Sequence, residues 1–158
     1  MATKETDPAV AVTNYETMQH IDNVQHFINV IVMELLRRGE LHDKSKMSPE
    51  EVDIFVDYTP KLKACTYGSD EYKGFLAAMK PALDHHYGNN RHHPEHHKNG
   101  INDMDLVDII ELFCDWKAAS LRHQNGNILK SIETNAERFQ ICPQLRQILE
   151  NTAKKYGE

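Results

Sequence analysis

Cysteine is scarce and scattered: Cys65, Cys114 and Cys142 form no CxxC pair, which argues against a disulfide framework and a thiolate zinc site. Long apolar runs are missing too. No stretch approaches the ~18 residues of a membrane span, and the opening MATKETDPAV has no apolar signal core, so a cytoplasmic protein with no membrane partner is expected. Clustered basic residues are lacking: 18 Lys and Arg against 24 Asp and Glu give a formal charge of -6, which argues against an extended nucleic-acid surface. Seven glycines and six prolines are too few for a disordered or fibrous chain. A Gly-rich phosphate loop, β-type alternation and internal repeats are also absent.

Helical periodicity is abundant. Thr13 is placed to cap a helix from Asn14 to Arg38, in which Met18, Ile21, Val24, Ile28, Ile31 and Leu35 recur three or four apart, and Gly39 ends it. Ser48-Pro49-Glu50-Glu51 reads as a capping box opening a short helix that TPKLKACTYG breaks. Ser69 caps a further helix that runs past Pro81 to about Gly88, and a histidine-rich loop follows to about Asn102. Three more helices are predicted, from Met104 to His123, Asn127 to Phe139 and Pro143 to Tyr156. The reading is all-α: a loose N-terminus over 1–13, then one domain over 14–158 built as an irregular bundle of five to six helices. The apolar faces of the last two helices offer a surface for self-association.

The stretch HHYGNNRHHPEHH, His85 to His97, holds six of the ten histidines. It is internal, it is interrupted by Arg91, Pro94 and Glu95, and it starts on the apolar stripe of its helix, so it reads as a metal-binding segment rather than a tag. His20 shares a stripe with Val24, Phe27, Ile31 and Leu35, which aims it inward, whereas His26 falls on another face. His42-Asp43 offers an imidazole nitrogen and a carboxylate oxygen side by side. Asp108, Glu111, Asp115 and Arg122 line one stripe of the helix after the loop, bordered by the small Ala118 and Ala119. Asp115 is the expected ligand there, with Asp108 and Glu111 as salt-bridged or supporting acids.

In chain order His20, His42-Asp43, the histidine cluster and Asp115 spell H…HD…H…D, which resembles the HD-domain superfamily of metal-dependent phosphohydrolases. HIDNV resembles that family's first-histidine helix, HDKSK its HD-x-x-K segment, and CDWKAASLRH the helix in which an Asp precedes small residues. The chain is also similar to a smaller, uncharacterised family of short bacterial and phage proteins carrying HDKSK, HHPEHH and DWKAA segments.

The resemblance implies an HD-like helical fold in which His20, His42, Asp43 and Asp115 hold a first ion. His86 and His93 are the choices for a second, with His85, His92, His96 and His97 as alternatives and Glu16 within a turn of His20. This sequence departs from the superfamily in spacing its middle histidines only seven residues apart. The implied cofactor is one or two divalent transition-metal ions, with Mn, Fe, Zn, Co and Ni all suited to the donor set.

The implied activity is hydrolysis of a small phosphorylated substrate, a nucleotide among the candidates, by a metal-activated hydroxide. Asp43 would orient that hydroxide and Lys46 or Arg122 would neutralise the phosphate. Tyr67, Tyr87 and Trp116 are the aromatics available to stack a base. Two alternatives stay open: an HD-type di-iron oxygenase, and a non-catalytic metal-binding or regulatory module.

Overall fold

Asp7 opens the first helix: its side chain accepts from the Ala9 N–H at 2.9 Å, and Pro8 takes the first helical position, where a missing N–H is harmless. The computed structural model describes residues 7–66, 69–122 and 126–156, so Tyr67, His123 and Asn125 lie outside the described residues. Helix α1 (Pro8–Leu41) begins six residues before the expected start, because Asp7 and not Thr13 is the cap. The Thr13 hydroxyl instead bonds back to the Ala9 carbonyl, one turn behind it.

The chain divides into two units, 1–40 and 41–158. The first is α1, with none of its residues buried; His20 is exposed along with Val24, Phe27 and Ile31. The inward stripe expected there is not realised within the unit, since a lone helix has nothing of its own to cover an apolar face.

The second unit is all-helical. Among the described residues the protein holds seven α-helices and no strand. After a 3-10 turn at Lys44–Met47 come α2 (Val52–Ala64), α3 (Asp70–Ala78), α4 (Lys80–Asn89), α5 (Leu106–Ser120), α6 (Ile128–Arg138) and α7 (Pro143–Tyr156). The one helix expected over 69–88 is two. Pro81 has no N–H to continue the ladder, so the chain breaks at Met79 and restarts with Pro81 in the first turn of α4. Pro60, in contrast, does not end α2, which runs on to Ala64 and closes with Cys65 N–H on the Lys61 carbonyl.

Of the predicted caps Ser69 forms, and Asn127, expected only as a helix start, caps α6. The Ser69 hydroxyl accepts from Tyr72 N–H at 3.1 Å, and Asn127 accepts from the N–H groups of Leu129 and Lys130. The capping box at Ser48–Glu51 does not form. Ser48 uses its backbone carbonyl to hold Val52, the helix begins only there, and Glu51 turns its carboxylate elsewhere.

The core lies between α5, α6 and α7, where Leu112, Phe113 and Trp116 meet Ile128, Ile132, Ala136, Leu149 and Ala153. The last two helices bury Ile128, Ile132, Ala136, Leu149 and Ala153 here, while their Leu129, Ile148 and Tyr156 stay exposed. Trp116 stacks on Phe139 with ring centroids 6.4 Å apart and planes 6° from parallel, which makes it a core ring and not a free platform for a base. This packing anchors α5, and with it the acidic stripe that faces the histidine loop.

Candidate metal centre

Four segments of the second unit supply the site. At the start of that unit Asp43 adopts φ 56°, the left-handed conformation that Asp and Asn tolerate best among residues with a Cβ, and this reverses the chain into the 3-10 turn. From α4 comes His86, buried on the helix face. The loop after α4 gives His92 and His93, and His93 is held extended by the proline that follows it. From α5 comes Asp115, one turn beyond Glu111 and two beyond Asp108.

The loop is tied down at several points. Buried Asp108 takes two N–H bonds from Arg91, at 3.3 and 3.0 Å, and closes a capping box with Asp105 at the start of α5. His97 donates to the Arg91 carbonyl at 2.8 Å and His96 to the Tyr87 carbonyl at 2.8 Å. These two histidines therefore fold the loop. His85 likewise is engaged with Glu51 at 2.7 Å.

Two groups of donor atoms result, each with its atoms within 4.8 Å of one another: Asp43, His86, His92 and His93; and His42, His92 and Asp115. Of the sequence-predicted ligands, His42, Asp43, His86, His93 and Asp115 come together, and His92, named only as an alternative, sits in both groups. His20 is on α1 in the other unit and is in neither group. The predicted catalytic residues Lys46 and Arg122 line one cleft of about 1140 Å³ together with His42, Asp43 and Asp115.

Asp43 lies between the groups. Its Oδ1 is 3.2 Å from His86 Nε2 and 3.7 Å from His92 Nε2, and its Oδ2 is 3.6 Å from His42 Nε2 and paired with Lys46. Outer acids aim the rings. Glu111 Oε1 is 2.9 Å from His42 Nδ1 and 3.1 Å from His92 Nδ1, so both rings carry the Nδ1 proton and turn Nε2 toward the aspartates.

The interior of this cage is rich in electron pairs. Asp43 Oδ1 and His92 Nε2 are buried without a hydrogen-bond partner, and His86 Nε2 lies 2.9 Å from His93 Nε2. Orphaned buried polar atoms are costly, and a cation among them would satisfy all at once. The mixture of imidazole nitrogen and carboxylate oxygen suits a first-row divalent metal.

The charges are set by the same neighbours. Burial works against ionisation of Asp43, but His86, Lys46 and His42 beside it outweigh that and hold the carboxyl far below its usual range. Burial also opposes charge on Glu111, yet hydrogen bonds from His42 and His92 bring it down to about 2. Asp115 is lowered too, by His42, against burial and the repulsion of Asp43. His42, between Asp115 and Glu111, is pushed up to about 10. His93 goes the other way, to about 3, through burial and the proximity of His92 and His86. It is therefore a neutral donor at pH 7.

Glu51 is the residue that sequence reasoning did not place here. Its only local signal was the capping-box spacing, whereas its contacts are with His85 and His86, more than thirty positions along the chain.

A family model described as "Family of unknown function (DUF5662)" matches residues 10–155, and the chain belongs to that family. No curated protein and no solved structure matches the chain.

Proposed function

We propose that this member of a family of unknown function is a metal-dependent phosphohydrolase acting on a small phosphorylated substrate, with a nucleotide as the leading class. The observation that carries the reading is the buried cage of His86, His92 and His93 nitrogens around an unpartnered Asp43 oxygen, opening beside a cleft that holds Lys46, Lys63 and Arg122. When bound, a divalent cation supplies an acidified water and a grip on phosphoryl oxygens.

The chain's own groups would do the rest. His42, Asp43, His86, His92, His93 and Asp115 would hold one or two ions, and the neutrality of His93 makes it a ligand rather than a proton donor. Asp43, ionised and facing both groups, would orient the attacking water. Lys46, next to Asp43, and the exposed Arg122 at the cleft would neutralise the phosphate as charge builds. Phe55, Leu62 and Ala119 give the same cleft apolar walls for the rest of the substrate.

Elemental analysis of untagged protein, followed by phosphate release from a nucleotide panel with and without Mn²⁺, tests the reading. The expected result is bound transition metal and turnover, both lost in His42→Ala and Asp115→Asn. Metal with substrate-dependent oxygen consumption would make the protein a di-iron oxygenase instead. Metal without any turnover would make it a binding module.

A further inference from the structure

We propose that Glu51 is a positioning residue of the metal centre, fixing the tautomer and aim of His86 while holding His85 out of the ligand set. This role presupposes the metal centre proposed above and adds to it a residue outside both ligand groups.

Glu51 has no exposed side-chain surface, and each of its oxygens is taken by a different histidine. Oε1 is 2.7 Å from His85 Nδ1 and Oε2 is 3.0 Å from His86 Nδ1. A carboxylate only accepts, so both Nδ1 atoms donate, and in a neutral ring the lone pair is then on Nε2. Two other groups approach His86 Nδ1: the Ser45 hydroxyl at 3.0 Å, whose oxygen can share the Nδ1 proton with the carboxylate, and the Asn90 amide at 3.1 Å. The two protons of the amide are already directed to Ser45 Oγ and to the His86 carbonyl, both at 2.7 Å, so it cannot claim Nδ1.

The consequence is directional. His86 Nε2 is left facing Asp43 Oδ1 at 3.2 Å and His93 Nε2 at 2.9 Å, inside the donor group, and the Phe55 ring meets the imidazole edge-on. The hydrogen bond from Nδ1 to a carboxylate oxygen also makes Nε2 a stronger donor to a cation. His85, on the other oxygen, has Nε2 within 3.3 Å of the Asn89 amide, which donates to it outside the cage. Two adjacent histidines are thus sorted by one buried acid into a ligand and a spacer.

The test uses the full-length protein, Co²⁺ alone as the probe, and Glu51→Gln. Glutamine keeps the shape but replaces one acceptor with a donor, so one of the two rings must move its proton to Nε2. Expected are a 10- to 100-fold loss of Co²⁺ affinity by calorimetry, at an unfolding midpoint of the cation-free protein that is little changed. In long-range ¹⁵N–¹H spectra the cation-free wild type should carry the His86 proton on Nδ1, and the variant should show a changed tautomer at His85 or His86. Unaltered Co²⁺ affinity in the variant, or a wild-type His86 protonated on Nε2, overturns the role of Glu51 and leaves the metal centre standing. Wild-type protein that binds no Co²⁺ overturns the centre itself, and the role of Glu51 with it. The wild-type tautomer decides the matter even where the variant fails to fold.

Discussion

Replacing Asp43 by Asn separates the metal centre from the fold that carries it. The substitution is isosteric, and Asn tolerates the φ of 56° at this position at least as well as Asp, so the backbone turn is preserved. What is lost without metal is the charge that faces Lys46, His86 and His42. The Lys46 pair, with that side chain 34% exposed, contributes about 0.2–1 kcal/mol, and the charged contacts to the half-buried His42 ring and the buried His86 ring raise the loss. The repulsion between Asp43 and Asp115 is relieved at the same time, which offsets part of that. The cation-free variant should therefore lose about 1–3 kcal/mol relative to wild type.

With cation the two proteins diverge. At a free Mn²⁺ concentration a hundred times the wild-type Kd, binding stabilises the wild type by about 2.7 kcal/mol, whereas a hundredfold weaker variant gains only about 0.4 kcal/mol. For a chain of this size that corresponds to a Tm rise of roughly 5–11 °C in wild type and about 1–2 °C in Asp43→Asn. Thermal unfolding with and without Mn²⁺ reads both numbers. Equal rises in the two proteins, or a loss of stability beyond about 3 kcal/mol in the cation-free variant, would refute the assignment of Asp43 as a ligand facing both donor groups.

Three further outcomes follow from the same geometry. His42, raised from 6.5 to about 10 by Asp115 and Glu111, contributes stability to the cation-free protein that is complete below pH 6.5 and disappears as pH climbs through about 10. A Tm series over that window should fall in wild type and stay flatter in His42→Gln; parallel curves would contradict the pairing. Asp108→Asn, which removes the charged partner of Arg91 at the start of α5, should cost about 1–3 kcal/mol by denaturant unfolding, the Arg91 charge being half exposed and able to rehydrate. A change below about 0.5 kcal/mol would show that this acid does not anchor the loop. Ile132→Ala, at a fully buried site, should cost about 2–5 kcal/mol, against less than about 0.5 kcal/mol for Leu106→Ala at an exposed one. Similar costs at both positions would misplace the core.

Local chemistry was enough to read much of this molecule. Helices α5, α6 and α7 announce themselves through apolar spacing, and Ser69 is legible as the cap of α3, because a helix and its cap are decided within a few residues. His42, Asp43, His86, His93 and Asp115, which the fold brings together as donor groups able to hold a metal, were legible as candidates by residue type, order and helix face. Where neighbours in sequence compete, the reading slipped. Asp7 displaced Thr13 as a cap, and Pro81 divided a helix that periodicity alone makes continuous.

Only the tertiary structure sorted the six loop histidines. Residue type makes them equivalent; partners distant in the chain do not. Glu51 and Glu111 engage Nδ1 of His86 and His92 and turn Nε2 of each into the cage, while carbonyls in the loop and the preceding helix take up His96 and His97. An imidazole is a ligand or a strut according to which nitrogen its neighbour claims. That neighbour, as Glu51 shows, stands 35 residues away and is brought there by packing, not by pattern.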